Sequence, residues 1–217
     1  MGRLHWKVCG MKYPENIQQV AALKPDYMGF IFFTDSPRYV GKGLDRDLLA
    51  GLPSSIQKVG VFVNQGREEI VDLAKWYYLD LIQLHGDETP EDCRQLRDYG
   101  LGIIKAFRLD SEFNFDLLQP YTAVVDYFLF DSRGQYYGGN GQAFDWGLLN
   151  EYKLDVPFFL SGGIGQDLFE EVARLSMTTL YALDVNSRFE VAPARKDISQ
   201  LRKFSLAIGT GSEPNKS

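Results

Sequence analysis

Residues 58–107 read KVGVFVNQGREEIVDLAKWYYLDLIQLHGDETPEDCRQLRDYGLGIIKAF, and this stretch decides the fold. It opens on a short apolar run, 58–63, rich in Val and Phe and without strict polar alternation, as in a strand covered on both faces. An amphipathic segment follows at 67–77, with Glu68 and Glu69 at its start, where carboxylates suit the positive end of a helix dipole. A second apolar run, 79–84, and a second helical segment repeat the unit. Thr89-Pro90-Glu91-Asp92 reads as a cap, a first-turn proline and two acidic residues, and Gly100 as a stop. A third run, 102–107, completes the stretch. Strands alternating with helices in this way imply a parallel sheet joined by right-handed crossovers.

The alternation extends in both directions. Apolar runs stand at 4–9 and 27–32 before this stretch and at 123–131, 156–161 and 179–184 after it, which makes eight. Helices are expected at 14–23, 166–175 and 196–204, with shorter candidates at 44–52, 113–118 and 146–152. Eight such units favour closure into a single α/β domain, a (β/α)8 TIM barrel, over an open sheet. The barrel is expected over residues 1–207, and the Gly/Ser/Asn/Lys-rich end, 208–217, as a disordered tail. A chain of 217 residues, 45% hydrophobic, holds one sizeable core and leaves little room for a second.

Composition narrows the function classes. A net charge of −6 gives no general basic face for nucleic acid or a membrane surface, although a local site can still take a small anion. The two cysteines, Cys9 and Cys93, form no Cys-x-x-Cys, so neither a disulfide framework nor a structural zinc site is expected. No run approaches the ~20 apolar residues of a membrane span, and the first residues lack the apolar core of a signal peptide. A cytoplasmic protein with a small-molecule ligand is expected, as a monomer or a homodimer.

In a TIM barrel the chemistry gathers at the C-terminal ends of the strands. There the sequence places Cys9-Gly10, Ser36-Pro37-Arg38, Gln83-Leu84-His85-Gly86, Asp131-Ser132, Ser161-Gly162-Gly163 and Asp184-Val185-Asn186-Ser187. Each has a plain structural explanation alone: a buried thiol, a loop-capping Asp, a backbone-bound His, a surface Arg, a tight turn. Together on one rim they describe a site. Gly162 and Gly163 after the seventh strand and Asn186-Ser187 after the eighth suit a phosphate, because glycine lets backbone N–H groups approach an anion. The loop Tyr137-Gly138-Gly139-Asn140-Gly141 is similarly permissive and suits closure over a ligand.

In order and spacing, these blocks resemble those of the phosphoribosylanthranilate isomerase family over almost the whole chain. The matching blocks are Lys7-Val8-Cys9-Gly10-Met11, Ser36-Pro37-Arg38-Tyr39-Val40, Val59 to Asn64 and Gln83 to Glu88. They continue with Phe130-Asp131-Ser132, Gly138 to Gly141 leading to Phe144-Asp145-Trp146, Ser161-Gly162-Gly163 and Asp184 to Ser187. The resemblance implies an Amadori rearrangement in tryptophan biosynthesis, with Cys9 as general base and Asp131 as general acid. It also implies Arg38 on the anthranilate carboxylate, His85 and Asp184 at the substrate, and Gly162, Gly163, Asn186 and Ser187 at the phosphate. No metal and no organic cofactor are implied. The chemistry asks for a thiol pKa lowered from ~8.5 and a carboxyl pKa raised from ~3.9.

Three positions depart from the family pattern: Arg188-Phe189 after Ser187, Ala182 where Gly is frequent, and Asn140 where Thr is usual. Among rivals, the aminoaldose isomerase of histidine biosynthesis uses aspartates as both acid and base, whereas strand 1 here ends in Cys9. Indole-glycerol phosphate synthase needs a catalytic lysine, and Lys7 precedes the strand end. A barrel that binds phosphorylated ligands without catalysis would need neither Cys9 nor Asp131.

Overall fold

A computed structural model describes residues 4–132, 146–165 and 177–210. Eight parallel strands form a closed barrel: β1 His5–Val8, β2 Tyr27–Ile31, β3 Gln57–Phe62, β4 Leu81–Leu84, β5 Gly102–Arg108, β6 Tyr127–Asp131, β7 Phe158–Ser161 and β8 Leu180–Val185. Each pairs with the next, and β8 pairs back with β1, setting Lys7 opposite Asp184. The eight-stranded barrel expected from the alternation is the observed fold.

Side chains alternate across each strand, and the barrel sorts them into two clusters. Trp6, Val8, Met28, Phe30, Ile82, Leu84, Phe128 and Phe130 belong to the large cluster packed against the helices. Tyr27, Val59, Leu81, Ile104, Leu129, Phe159 and Ala182 form a small second cluster inside the barrel. The same parity sends Lys7, Gln83, Asp131, Ser161 and Asp184 inward, and all five are buried. Tyr27, at the start of β2, meets Tyr181 near the start of β8 at 3.0 Å between hydroxyls, and Tyr127 packs on Tyr181. These rings cluster at the N-terminal end, away from the rim that carries the polar strand ends.

The helices follow local chemistry. α1, Pro14–Ala21, has proline in its first turn. α2, Arg46–Ala50, begins where the Asp45 carboxylate accepts from the backbone N–H groups of Asp47 and Leu48. α3 spans Arg67–Trp76, and α4, Pro90–Arg97, carries a complete capping box between Thr89 and Asp92. α5, Ile198–Thr210, follows Asp197, whose side chain accepts from the Gln200 N–H at 3.0 Å.

Several expectations are corrected. Residues 115–121 form a 3-10 helix instead of the α-helix expected at 113–118, because Pro120 has no N–H to donate and disfavours α geometry just before it. The segment expected as a helix at 146–152 is likewise a 3-10 helix, Trp146–Glu151. Strand β6 starts at Tyr127 and not at 123, since Val124 N–H closes a turn onto the Tyr121 carbonyl at 2.9 Å. The last helix starts after Asp197 and not at 196, because Lys196 lies in an unforeseen hairpin, β9 Glu190–Ala192 with β10 Arg195–Lys196. It also runs to Thr210, past the boundary at 207, and the rest of the expected tail, 211–217, lies outside the described residues. The expected helix at 166–175 and the glycine-rich loop at 137–141 lie outside them as well.

Candidate active site

The rim is built on a buried ion pair. Lys7 Nζ lies 2.9 Å from Asp184 Oδ2 and 2.8 Å from Gln83 Oε1, and its charge acts on the nearby Cys9 thiol. Stripping both charges of water is expensive, and it is offset only when the remaining donors are satisfied, as these are. Burial alone would lower the Lys7 pKa, but Asp184 and Cys9 outweigh it and hold the ammonium above its ordinary value. The other Asp184 oxygen, Oδ1, is buried and has no hydrogen-bond partner among the described residues. An unsatisfied buried acceptor costs free energy unless a ligand donor meets it.

Cys9 follows β1 directly and is tied to the last strand by its N–H, which donates to the Val185 carbonyl at 2.9 Å. Gly29 on β2 makes room for it. A Cβ there would stand 2.8 Å from Cys9 Sγ and 3.2 Å from Lys7 Cε. The expected lowering of the thiol pKa is overturned. Burial pushes it up, Lys7 and Lys196 pull it only partly back, and Asp184 adds to the rise. The resting form is a neutral thiol beside an ammonium.

Gly10 adopts φ +78°, and a Cβ on it would meet Arg38 Cδ at 2.7 Å and Asn186 Oδ1 at 2.9 Å. Glycine therefore lets the loops after β2 and β8 cross at this point. Arg38 is not a bare guanidinium. Nε donates to Glu190 Oε1 at 2.9 Å and Nη2 to Oε2 at 2.6 Å, leaving Nη1 outside that pair. Lys196 Nζ donates to Glu190 Oε1 and to Asn186 Oδ1, each at 2.7 Å. Burial would raise the Glu190 pKa, but Arg38 and Lys196 outweigh it and keep the carboxylate below its usual range. The hairpin thus anchors both Arg38 and the loop after β8.

Across the barrel, His85 Nδ1 lies 2.9 Å from Gln83 Nε2, and His85 Nε2 lies 3.5 Å from Asp131 Oδ2. Asp131 is buried, while His85 is partly exposed. Both border a cavity of about 840 Å³ that also reaches Asn64, Lys105, Arg108 and Tyr121. Glu88 holds this side rigid: it accepts from the N–H groups of Asn64 and Gly86 and pairs with buried Lys105 at 3.0 Å.

A second, narrow cleft is lined by Ser161, Gly162, Gly163, Asp184, Asn186 and Ser187, together with Arg188. Gly162 and Gly163 have φ of +100° and +72°, and Ser132 Oγ donates to the Gly162 carbonyl at 3.0 Å. All nine residues picked from the sequence reach this rim, but not one surface. His85 and Asp131 face the large cavity; Asp184, Gly162, Gly163, Asn186 and Ser187 face the cleft; Cys9 and Arg38 line neither.

A sequence model of the N-(5'-phosphoribosyl)anthranilate isomerase family matches residues 6–206. The chain belongs to that family. The N-(5'-phosphoribosyl)anthranilate isomerase of Parabacteroides distasonis is 42% identical over 215 residues, covering 96% of this chain and 97% of its own. The crystal structure of phosphoribosyl anthranilate isomerase from Thermotoga maritima superposes with a TM-score of 0.82 at 29% identity, covering 95% of this chain and 99% of its own. A further phosphoribosyl anthranilate isomerase, solved with reduced 1-(o-carboxyphenylamino)-1-deoxyribulose 5-phosphate, gives 0.80 at 27% identity, with coverage of 95% and 99%. Among the described residues no helix is long and apolar enough to cross a membrane.

Sequence reasoning quoted Lys7 and Gln83 within their blocks but gave them no role, and it missed Glu190 and Lys196. The first two were findable: Lys7 is two residues before Cys9, and Gln83 two before His85, so the strand period puts each pair on one face.

Proposed function

We propose that the protein isomerises N-(5-phosphoribosyl)anthranilate to 1-(2-carboxyphenylamino)-1-deoxyribulose 5-phosphate, with Asp131 as general acid and Cys9 as general base. The observation that carries this reading is family membership across residues 6–206 in a chain that keeps a thiol after β1 and a carboxyl at the end of β6. Asp131 gives a proton to the ring oxygen as the C1'–O bond breaks, and the anthranilate nitrogen supplies the electron pair, forming an iminium. The iminium acidifies C2', and Cys9 takes the C2' proton as the thiolate, in the form of the enzyme whose one shared proton lies on Asp131. The resulting enolamine becomes the ketone as its hydroxyl proton moves to C1'. No step requires an oxidant or a metal.

Binding follows the same geometry. The phosphate occupies the narrow cleft, lined by Gly162 and Gly163, whose positive φ suits an anion-binding turn. Asp184 Oδ1, without a partner among the described residues, accepts from a substrate hydroxyl, and His85 assists at Asp131. Arg38, held edge-on by Glu190, presents Nη1 to the anthranilate carboxylate. Purified protein mixed with freshly generated phosphoribosylanthranilate should quench its fluorescence catalytically. A stoichiometric change, or none, would leave a binding barrel.

Arg38→Met should raise KM about 10–100-fold and change kcat much less, because it removes an interaction made equally in the ground and transition states. Steady-state kinetics separate the two. An unchanged KM with a collapsed kcat would place Arg38 in the transition state.

A further inference from the structure

The geometry points to a polar rail, Lys7–Gln83–His85, that fixes which oxygen of Asp131 carries the acid proton and makes Gln83 a positioning residue for the isomerisation. The inference rests on Asp131 as the acid, and it deepens that reading by stating how the acid is aimed.

The rail starts from a group that cannot be reversed. A lysine ammonium has three donors and no acceptor, so at 2.8 Å Gln83 must present Oε1 to Lys7. The amide orientation is then settled, and its NH2 faces His85 Nδ1 at 2.9 Å. An NH2 only donates, so Nδ1 is the acceptor and carries no proton. A neutral imidazole has one N–H, which is therefore on Nε2. An imidazolium would set Nδ1–H against the amide NH2 and break the contact. Nε2–H faces Asp131 Oδ2 at 3.5 Å, close enough to tighten into a hydrogen bond when substrate fills the site.

The consequence falls on the acid. With Oδ2 accepting from His85, the proton of the neutral carboxyl belongs on Oδ1. After transfer, Nε2–H remains on the carboxylate, and a hydrogen bond to an anion is stronger than one to a neutral acid. The interaction grows as the proton leaves, which is the condition for speeding a step. The rail carries orientation and not protons, because passage through Gln83 would need the imidic acid form of its amide. The proton that Cys9 takes up therefore returns to Asp131 through water or product. Other charged groups near His85 are Asp87, Glu88, Lys105 and Arg108, which line the same cavity. Lys105 is paired with Glu88, and Asp87 accepts from Asn64 Nδ2.

The chain has two histidines, His5 and His85, so 15N-histidine labelling gives a two-ring spectrum that His5→Gln assigns. In the wild-type protein, His85 Nδ1 should resonate as unprotonated and Nε2 as protonated. Gln83→Glu replaces the donor with a second acceptor and should put a proton on Nδ1. It should also lower kcat about 10–100-fold, the cost of a misaligned hydrogen bond to a charged group, with KM nearly unchanged. Gln83→Leu should lower kcat similarly and, with no donor left to hold Nδ1 as an acceptor, should let the neutral ring share its proton between Nδ1 and Nε2. An Nδ1–H in the wild type, or Gln83 variants with wild-type kcat while Asp131→Asn is inactive, would overturn the rail and spare the acid. An active Asp131→Asn enzyme beside the expected His85 tautomer would overturn the acid itself.

Discussion

Cys9→Ala should lower kcat by about 10²–10⁴-fold, the usual worth of a positioned base, while the protein still binds a reduced product analogue. The alanine Cβ keeps the backbone of the rim, and the contacts that place Arg38, Asn186 and Asp184 do not pass through the sulfur. Cys9→Ser should be nearly as inactive, since a hydroxyl in the same buried position holds its proton far more tightly than a thiol. Stopped-flow fluorescence gives the rate, and calorimetry with the analogue gives the affinity. A Cys9→Ala enzyme with more than half the wild-type rate would move the base to Asp184 or His85. A joint loss of rate and analogue binding would mean that the substitution disturbs the cleft.

Asp131→Asn should be as damaging, for a different reason. The amide keeps shape and volume but has no acidic proton, so ring opening loses its acid and kcat falls about 10²–10⁴-fold. Phosphate affinity should survive, because Gly162, Gly163, Asn186 and Ser187 lie in the separate cleft after β7 and β8. Substrate whose ring has been opened chemically in advance should partly restore the rate, since the missing step is then bypassed. That rescue separates an acid from a loop-capping aspartate, which no open-chain substrate would help. A near-normal kcat would leave Asp131 with the structural role alone.

The barrel was legible because its signal is local and repeated: each apolar run and each cap can be read within ten or so residues. The rim residues were legible because the fold assigns chemistry to strand ends. The electrostatics were not. The implied chemistry asks for an activated thiol, but whether burial outweighs the Lys7 ammonium depends on how the strands close around the sulfur. Gly29, on another strand, decides that packing. Arg38 likewise reads as a free cation until the hairpin 190–196 is seen to bring Glu190 against it. That hairpin lies where no element was expected, and its last residue, Lys196, had been assigned to the helix that begins only after the Asp197 cap.

The pH dependence of kcat/KM tests the acid–base assignment most directly. The active enzyme has one proton across the pair, on Asp131 and off Cys9, so activity is lost when the pair gains a second proton or loses its last. Burial raises the Cys9 thiol above its ordinary ~8.5, so the pair keeps its last proton into alkaline solution. A bell is therefore expected, with its alkaline limb beyond about pH 8.5. Lys7, held above its own ordinary value, stays charged across that range and does not set the limb. A profile between pH 5 and 10 that falls only past the ordinary thiol range fits the Cys9–Asp131 pair. A flat profile, or an alkaline limb centred near pH 7, would contradict it.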